Sequence, residues 1–145
     1  MDTFFKGLYS GISGGIVLNL WGFLLKDLLH ISTRNYVDWT SVIIYGTLAT
    51  NWCQFLLALL THLLWAGFLG IPFTFLLPKL TYQDFRVKGA FYGFILGFFI
   101  YGVAILLRMP FFTQIPFLTS AGNAVGGILW GVTIAHTLHW LEAKS

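Results

Sequence analysis

The sequence predicts an all-α integral membrane protein of four transmembrane helices, arranged as two tandem helical hairpins in parallel repeat. Three observations carry that prediction. Of the 145 residues, 57% are hydrophobic and only 9% are charged, where a soluble domain carries about a quarter charged residues. The charges cut the chain into uncharged runs of membrane-spanning length, and glycines recur along it at a fixed offset. Mean hydropathy is +0.80, and no small soluble fold covers that much apolar surface with so few polar groups.

The runs define the elements. Lys6 to Lys26 and Lys88 to Arg108 each enclose 19 uncharged residues, Asp38 to Lys79 encloses 40 and Arg108 to Glu142 encloses 33. About 20 apolar residues at 1.5 Å rise cross the hydrocarbon core. Each short run is therefore one span, and each long run is one span with an uncharged approach. The spans fall near 7–25, 51–77, 89–107 and 120–140, in a single membrane domain over 1–145. They must be helices, because lipid offers no partner for backbone polar groups and strand-like alternation is absent. The first apolar run is too long for a signal peptide and has no small-x-small site after it, so it is expected to be retained.

Lys6, Lys79, Arg86, Lys88 and Lys144 lie on one side, against Lys26, Arg34 and Arg108 on the other. That excess places both termini in the cytoplasm. Tyr36, Trp39 and Trp52 are read as anchors at one interface, and Tyr82, Phe85 and Trp140 as anchors at the other. Residues 30–50 allow two readings. Ser32-Thr33-Arg34-Asn35 is a polar loop, and 38–50 is then either an interfacial helix or a re-entrant segment lining a cavity. Two prolines make 109–116 an irregular turn.

The repeat is written in glycine. Lys6-Gly7, Gly11 and Gly15 open the first span; Lys88-Gly89, Gly93 and Gly97 open the third at a constant offset of 82, which also relates Lys26 to Arg108. Spans two and four align only after a gap of about ten residues, with Asn51 against Asn123 and Thr61 against Thr133. Both copies start on the same side, so their axis runs along the membrane normal. Glycine stripes let helix backbones approach closely in lipid. Gly122 with Gly126, and Gly127 with Gly131, add two further stripes on span four, and a stripe left over would favour a dimer.

Functional signals are few. His62 is the one ionisable residue well inside a span, on a face shared with Ala58, Gln54 and, one turn further out, Asn51. With Asn123 these residues are candidates for a polar path, the alternative being an imidazole hydrogen-bonded to a neighbouring helix. Pro72, after Gly67 and Gly70, is a kink signal. Gly11-Ile12-Ser13-Gly14-Gly15 matches a hydrolase pattern, but that chemistry needs a strained strand-to-helix turn, so Ser13 is not read as a nucleophile. His136 and His139 share a face with no carboxylate or cysteine beside them, and are read as capping helix-end carbonyls or meeting headgroups. Cys53 is the only cysteine, which excludes an intrachain disulfide and cysteine-rich metal sites. The scattered basic residues form no face for nucleic acid. No enzyme, metal or cofactor is expected.

The combination Lys6-Gly7-x3-Gly11-x3-Gly15, Asp38-Trp39, Leu69-Gly70-Ile71, Lys88-Gly89-Ala90-Phe91-x-Gly93-Phe94 and Thr137-Leu138-His139-Trp140 resembles the small four-helix membrane proteins of Firmicutes grouped with YqhR. The resemblance implies a bacterial cytoplasmic membrane and no assigned activity. The expected role is an accessory or assembly subunit or a self-associating scaffold, whose partners are the bilayer and a second copy or another membrane protein. The other reading is a small channel or transporter with its polar path around His62 and Pro72 at a hinge.

Overall fold

The computed structural model describes residues 1–80 and 83–145. Five helices follow in order: α1 (Thr3–Phe23), continued by a π turn at Leu24–Leu28; α2 (Tyr36–Tyr45); α3 (Trp52–Leu76), tightening to a 3₁₀ turn at Leu77–Leu80; α4 (Phe85–Leu106); and α5 (Phe117–Ala143). There is no strand among the described residues. With their terminal turns, α1, α3, α4 and α5 run for 26, 29, 22 and 27 residues and are long and apolar enough to cross a membrane. The chain is an all-α, multi-pass membrane protein. Residues 109–116 form the irregular connection that their prolines predict. Trp52 and Trp140 are exposed near helix ends and Phe85 stacks on His139, while the expected anchor Tyr82 lies outside the described residues.

Glycine decides which helices touch. A Cβ on Gly7 would meet Thr74, Ile71 and Gly70 of α3, and one on Gly11 would meet Ala66 and Gly67. Gly89 and Gly93 stand in the same way against Gly131 and Gly127 of α5. α1 and α3 are therefore one tight antiparallel hairpin, and α4 and α5 are another. These contacts replace the gapped alignment of the second and fourth spans. Gly70 matches Gly131 and Ala66 matches Gly127, an offset of 61, so Asn51 does not correspond to Asn123, nor Thr61 to Thr133. The position equivalent to Asn123 is His62.

The two hairpins meet unequally. α1 packs closely on α5 through Gly14 against Trp130, Gly126 against Leu18 and Trp21, and Gly122 against Leu25. Bared backbone there accepts indole hydrogen bonds, from Trp21 to the Gly122 carbonyl at 2.8 Å and from Trp130 to the Gly11 carbonyl at 3.3 Å. The repeat would predict the same closeness between α4 and α3. In that interface Leu96 stands where α1 has Gly14, and Thr61 and Trp65 stand where α5 has Gly122 and Gly126. Bulk in place of glycine holds α3 and α4 apart.

α2 occupies the gap on one side of the bundle. It runs antiparallel to the first half of α3, from Trp39 and Thr40 beside Thr61 and Trp65 to the Tyr45 hydroxyl, which donates to the Gln54 carbonyl at 3.2 Å. Its other flank packs Trp39 and Val42 against Ala104 and Phe112. Tyr36 and Trp39 are thus core residues, 5% and 9% exposed, and not interfacial anchors. Helical backbone wedged between spans has the shielding that a re-entrant segment needs. On the opposite half, Phe73, Leu77, Ile134 and Leu138 form a packed apolar core with Tyr92 and Phe85.

Candidate functional site

The wedge starts with a fixed first turn. Asn35 Oδ1 accepts from the Asp38 amide and Asp38 Oδ2 accepts from the Asn35 amide, both at 3.0 Å, a reciprocal capping box. Lys26 Nζ donates to the same Asp38 oxygen at 2.6 Å, pinning α2 to the π turn of α1. Tyr36 then projects from the first residue of the helix into the bundle.

Its ring stacks on His62 at 5.7 Å and meets Tyr101 edge-on at 5.3 Å. Its hydroxyl donates to the Asn123 carbonyl at 3.3 Å. Around this ring His62 Nδ1, Trp39 Nε1, Tyr101 Oη and Asn123 Nδ2 are buried without a hydrogen-bond partner. Asn123 faces the Tyr101 hydroxyl, but the two close no hydrogen bond of normal geometry. Buried polar atoms are ordinarily paired with protein or ordered water, so this convergence is the candidate site. The buried unpartnered side-chain atoms among the described residues, which also include Asn19 Nδ2 and Arg34 Nε, all belong to the half of the bundle that holds α2. In the other half Tyr92 donates to the Leu69 carbonyl at 2.7 Å and Thr74 to the Gly70 carbonyl at 3.1 Å.

Tyr36 is a wall between two spaces. Between α3 and α4 a cavity of about 30 Å³ is lined by His62, Trp39, Ala66, Leu96 and Trp130, room for a water. Between α4 and α5 a crevice of about 250 Å³ is lined by Phe94, Phe98, Tyr101, Gly102, Ser120 and Asn123. Neither lining includes a charged side chain. The site therefore offers hydrogen bonds and aromatic faces, without the fixed charge that proton relays and ion pathways in membranes use.

Of the residues selected from sequence, the structure brings His62 and Asn123 together, on either side of Tyr36 and each at least nine-tenths buried. Asn51 and Gln54 do not join them. Asn51 Oδ1 accepts from the Gln54 amide at 2.9 Å, and Gln54 Oε1 accepts from the Thr50 amide and hydroxyl at 2.9 and 3.0 Å. Both side chains serve the start of α3, about 15 Å from His62 at 1.5 Å per residue. Asn51 lines a separate polar cleft of about 410 Å³ with Lys26, Asn35 and Asp38. α3 continues as helix through Pro72, which is exposed. Ser13 donates to the Tyr9 carbonyl at 2.9 Å inside regular helix. His136 and His139 lie exposed near the end of α5, and no three His, Cys, Asp or Glu side chains converge among the described residues.

Sequence reading missed Tyr36, Trp39 and Tyr101. The signal that could have found the wedge is Asn35-x-x-Asp38, a helix start directly before Tyr36. The repeat could also have paired Asn19 with Tyr101 at its own offset of 82. The chain matches no protein-family model, no curated protein and no solved structure.

Proposed function

We propose that this protein is a non-conducting accessory subunit that holds a ligand within the membrane. The observation that carries this is the confinement of unpartnered polar atoms to one half of the bundle, around Tyr36. A channel needs polar surface across the whole bilayer, and the opposite half is closed by the backbone contacts of Gly7, Gly11, Gly89 and Gly93. Self-association has less support, since Gly102 is the only glycine inside a spanning helix whose Cβ position meets nothing within 4 Å. The other glycines of the four spans face another element of the same chain, leaving no stripe for a second copy. On this reading another membrane protein is the partner. The basic residues favour both termini in the cytoplasm, and the resemblance to YqhR-like proteins favours a bacterial cytoplasmic membrane.

The test is to reconstitute the purified chain in liposomes and measure ion and neutral-solute flux, together with the lipids that copurify. The expected result is flux no greater than that of empty liposomes and a small molecule retained in fixed ratio. Flux that disappears in His62→Ala while the protein still assembles would establish the transporter reading instead. A polar cleft at Lys26, Asp38 and Asn51 is what favours that second reading.

A further inference from the structure

The crevice between α4 and α5 has a direction. At Gly93 the two backbones touch, and one turn on, at Gly97, the nearest α5 atom to a Cβ would be 3.9 Å away, while Gly102, half-way round α4 from Gly93, faces open space. The helices thus part like a V toward the α2 side, and the crevice of about 250 Å³ fills the opening. Its outer walls are the phenyl rings of Phe94 and Phe98, the latter 73% exposed on a surface that faces lipid. Its inner end holds Tyr101 Oη and Asn123 Nδ2, both buried and facing each other without closing a hydrogen bond of normal geometry, with the Tyr36 ring behind them.

These features select a ligand. Two adjacent donors match one oxygen that has two lone pairs and no hydrogen of its own, which is a carbonyl. An aromatic wall of Phe94 and Phe98 on the α4 side, facing the small Ser120 and Ala124 of α5, suits a planar ring laid against it. A mouth lined on the α4 side by exposed Phe98 and Ile105 suits an apolar chain left in the bilayer. An anionic headgroup would find no cation in the crevice, and Arg34 is already engaged with the Thr33 carbonyl and the Phe111 ring. We propose that the crevice binds a lipophilic quinone, which enters sideways from the bilayer and places one carbonyl oxygen on Tyr101 and Asn123. This assignment rests on the accessory, ligand-holding reading above.

The experiment uses the full chain in nanodiscs, titrated calorimetrically with decylubiquinone, with decanol as a chain-matched control. Saturable binding at one site is expected, with no such binding of decanol. Tyr101→Phe keeps the ring and removes the donor, and is expected to weaken binding about five- to tenfold. Gly102→Leu has space for its side chain and fills the crevice, so a loss of more than about tenfold is expected in a protein that still folds. Thermal unfolding of each variant separates lost binding from lost structure. No saturable binding by wild type, or equal affinity in wild type, Tyr101→Phe and Gly102→Leu, overturns the quinone assignment. If wild type carries another native lipid in fixed ratio and Gly102→Leu does not, the quinone assignment fails while the ligand-holding reading stands. If neither carries any lipid and neither binds quinone, both fail.

Discussion

Gly93 of α4 stands backbone to backbone against Gly127 of α5, and past this contact the two helices separate. A Cβ at Gly93 would run into the Gly127 carbonyl, which belongs to a helix and cannot turn aside. Gly93→Ala is therefore expected to destabilise the protein by about 1–3 kcal/mol, the usual cost of overpacking. Gly102→Ala, nine residues along the same helix and facing open space, is expected to be neutral or slightly stabilising, because alanine is the better helix former. Thermal unfolding of both variants in detergent checks the pair. Equal loss in both would mean that glycine serves α4 for a reason other than proximity to α5.

Tyr36 ties the wedge to both hairpins, by stacking on His62 and by hydrogen bonding to Asn123. Tyr36→Ala removes a buried ring and leaves a hole between the two existing spaces, with an expected cost of about 3–5 kcal/mol. Tyr36→Phe keeps the stack and gives up one long hydrogen bond, with an expected cost below about 1 kcal/mol. Steric-trap or thermal unfolding that finds the two variants equally damaged would move the weight of Tyr36 from its ring to its hydroxyl.

Asp38 accepts both from the Asn35 amide that precedes α2 and from Lys26 in the π turn of α1. Asp38→Ala removes half of the capping box and the ion pair together. The pair is partly exposed, so most of the expected loss of about 1–2 kcal/mol belongs to the cap. The visible consequence is local. Limited proteolysis is expected to cut within residues 29–35 of Asp38→Ala before any other site, and to leave the wild type intact there. Uniformly faster cleavage along the chain would show that α2 unfolds only with the whole bundle.

The four spans were legible because lipid imposes one rule on every residue of a span: charges leave and backbone hydrogen bonds close inside the helix. The pairing within hairpins was legible for a similar reason, since glycine at every fourth position has a steric meaning independent of context. Tyr36 was not legible. Beside Trp39, and next to a polar loop, a tyrosine reads as an anchor at the headgroups; only the approach of α3 and α4 decides whether it turns outward or inward. That approach depends on Leu96, Thr61 and Trp65 replacing glycines of the other interface. The substitution is visible only after α3 and α5 are aligned through their contacts and not through Asn51 and Asn123.

Orientation has a built-in reporter. Cys53 is the only cysteine in the sequence, and it is exposed in the first turn of α3. It lies at the end of the bundle that holds α2, opposite both termini. Lysine and arginine predominate at the termini side, which the positive-inside rule assigns to the cytoplasm. A membrane-impermeant maleimide added to intact bacterial cells expressing the chain is therefore expected to label Cys53. In a Cys53→Ser background, Ser145→Cys is expected to react only after the membrane is permeabilised. The reverse pattern would invert the protein, and the three basic residues Lys26, Arg34 and Arg108 would then outweigh the five on the other side.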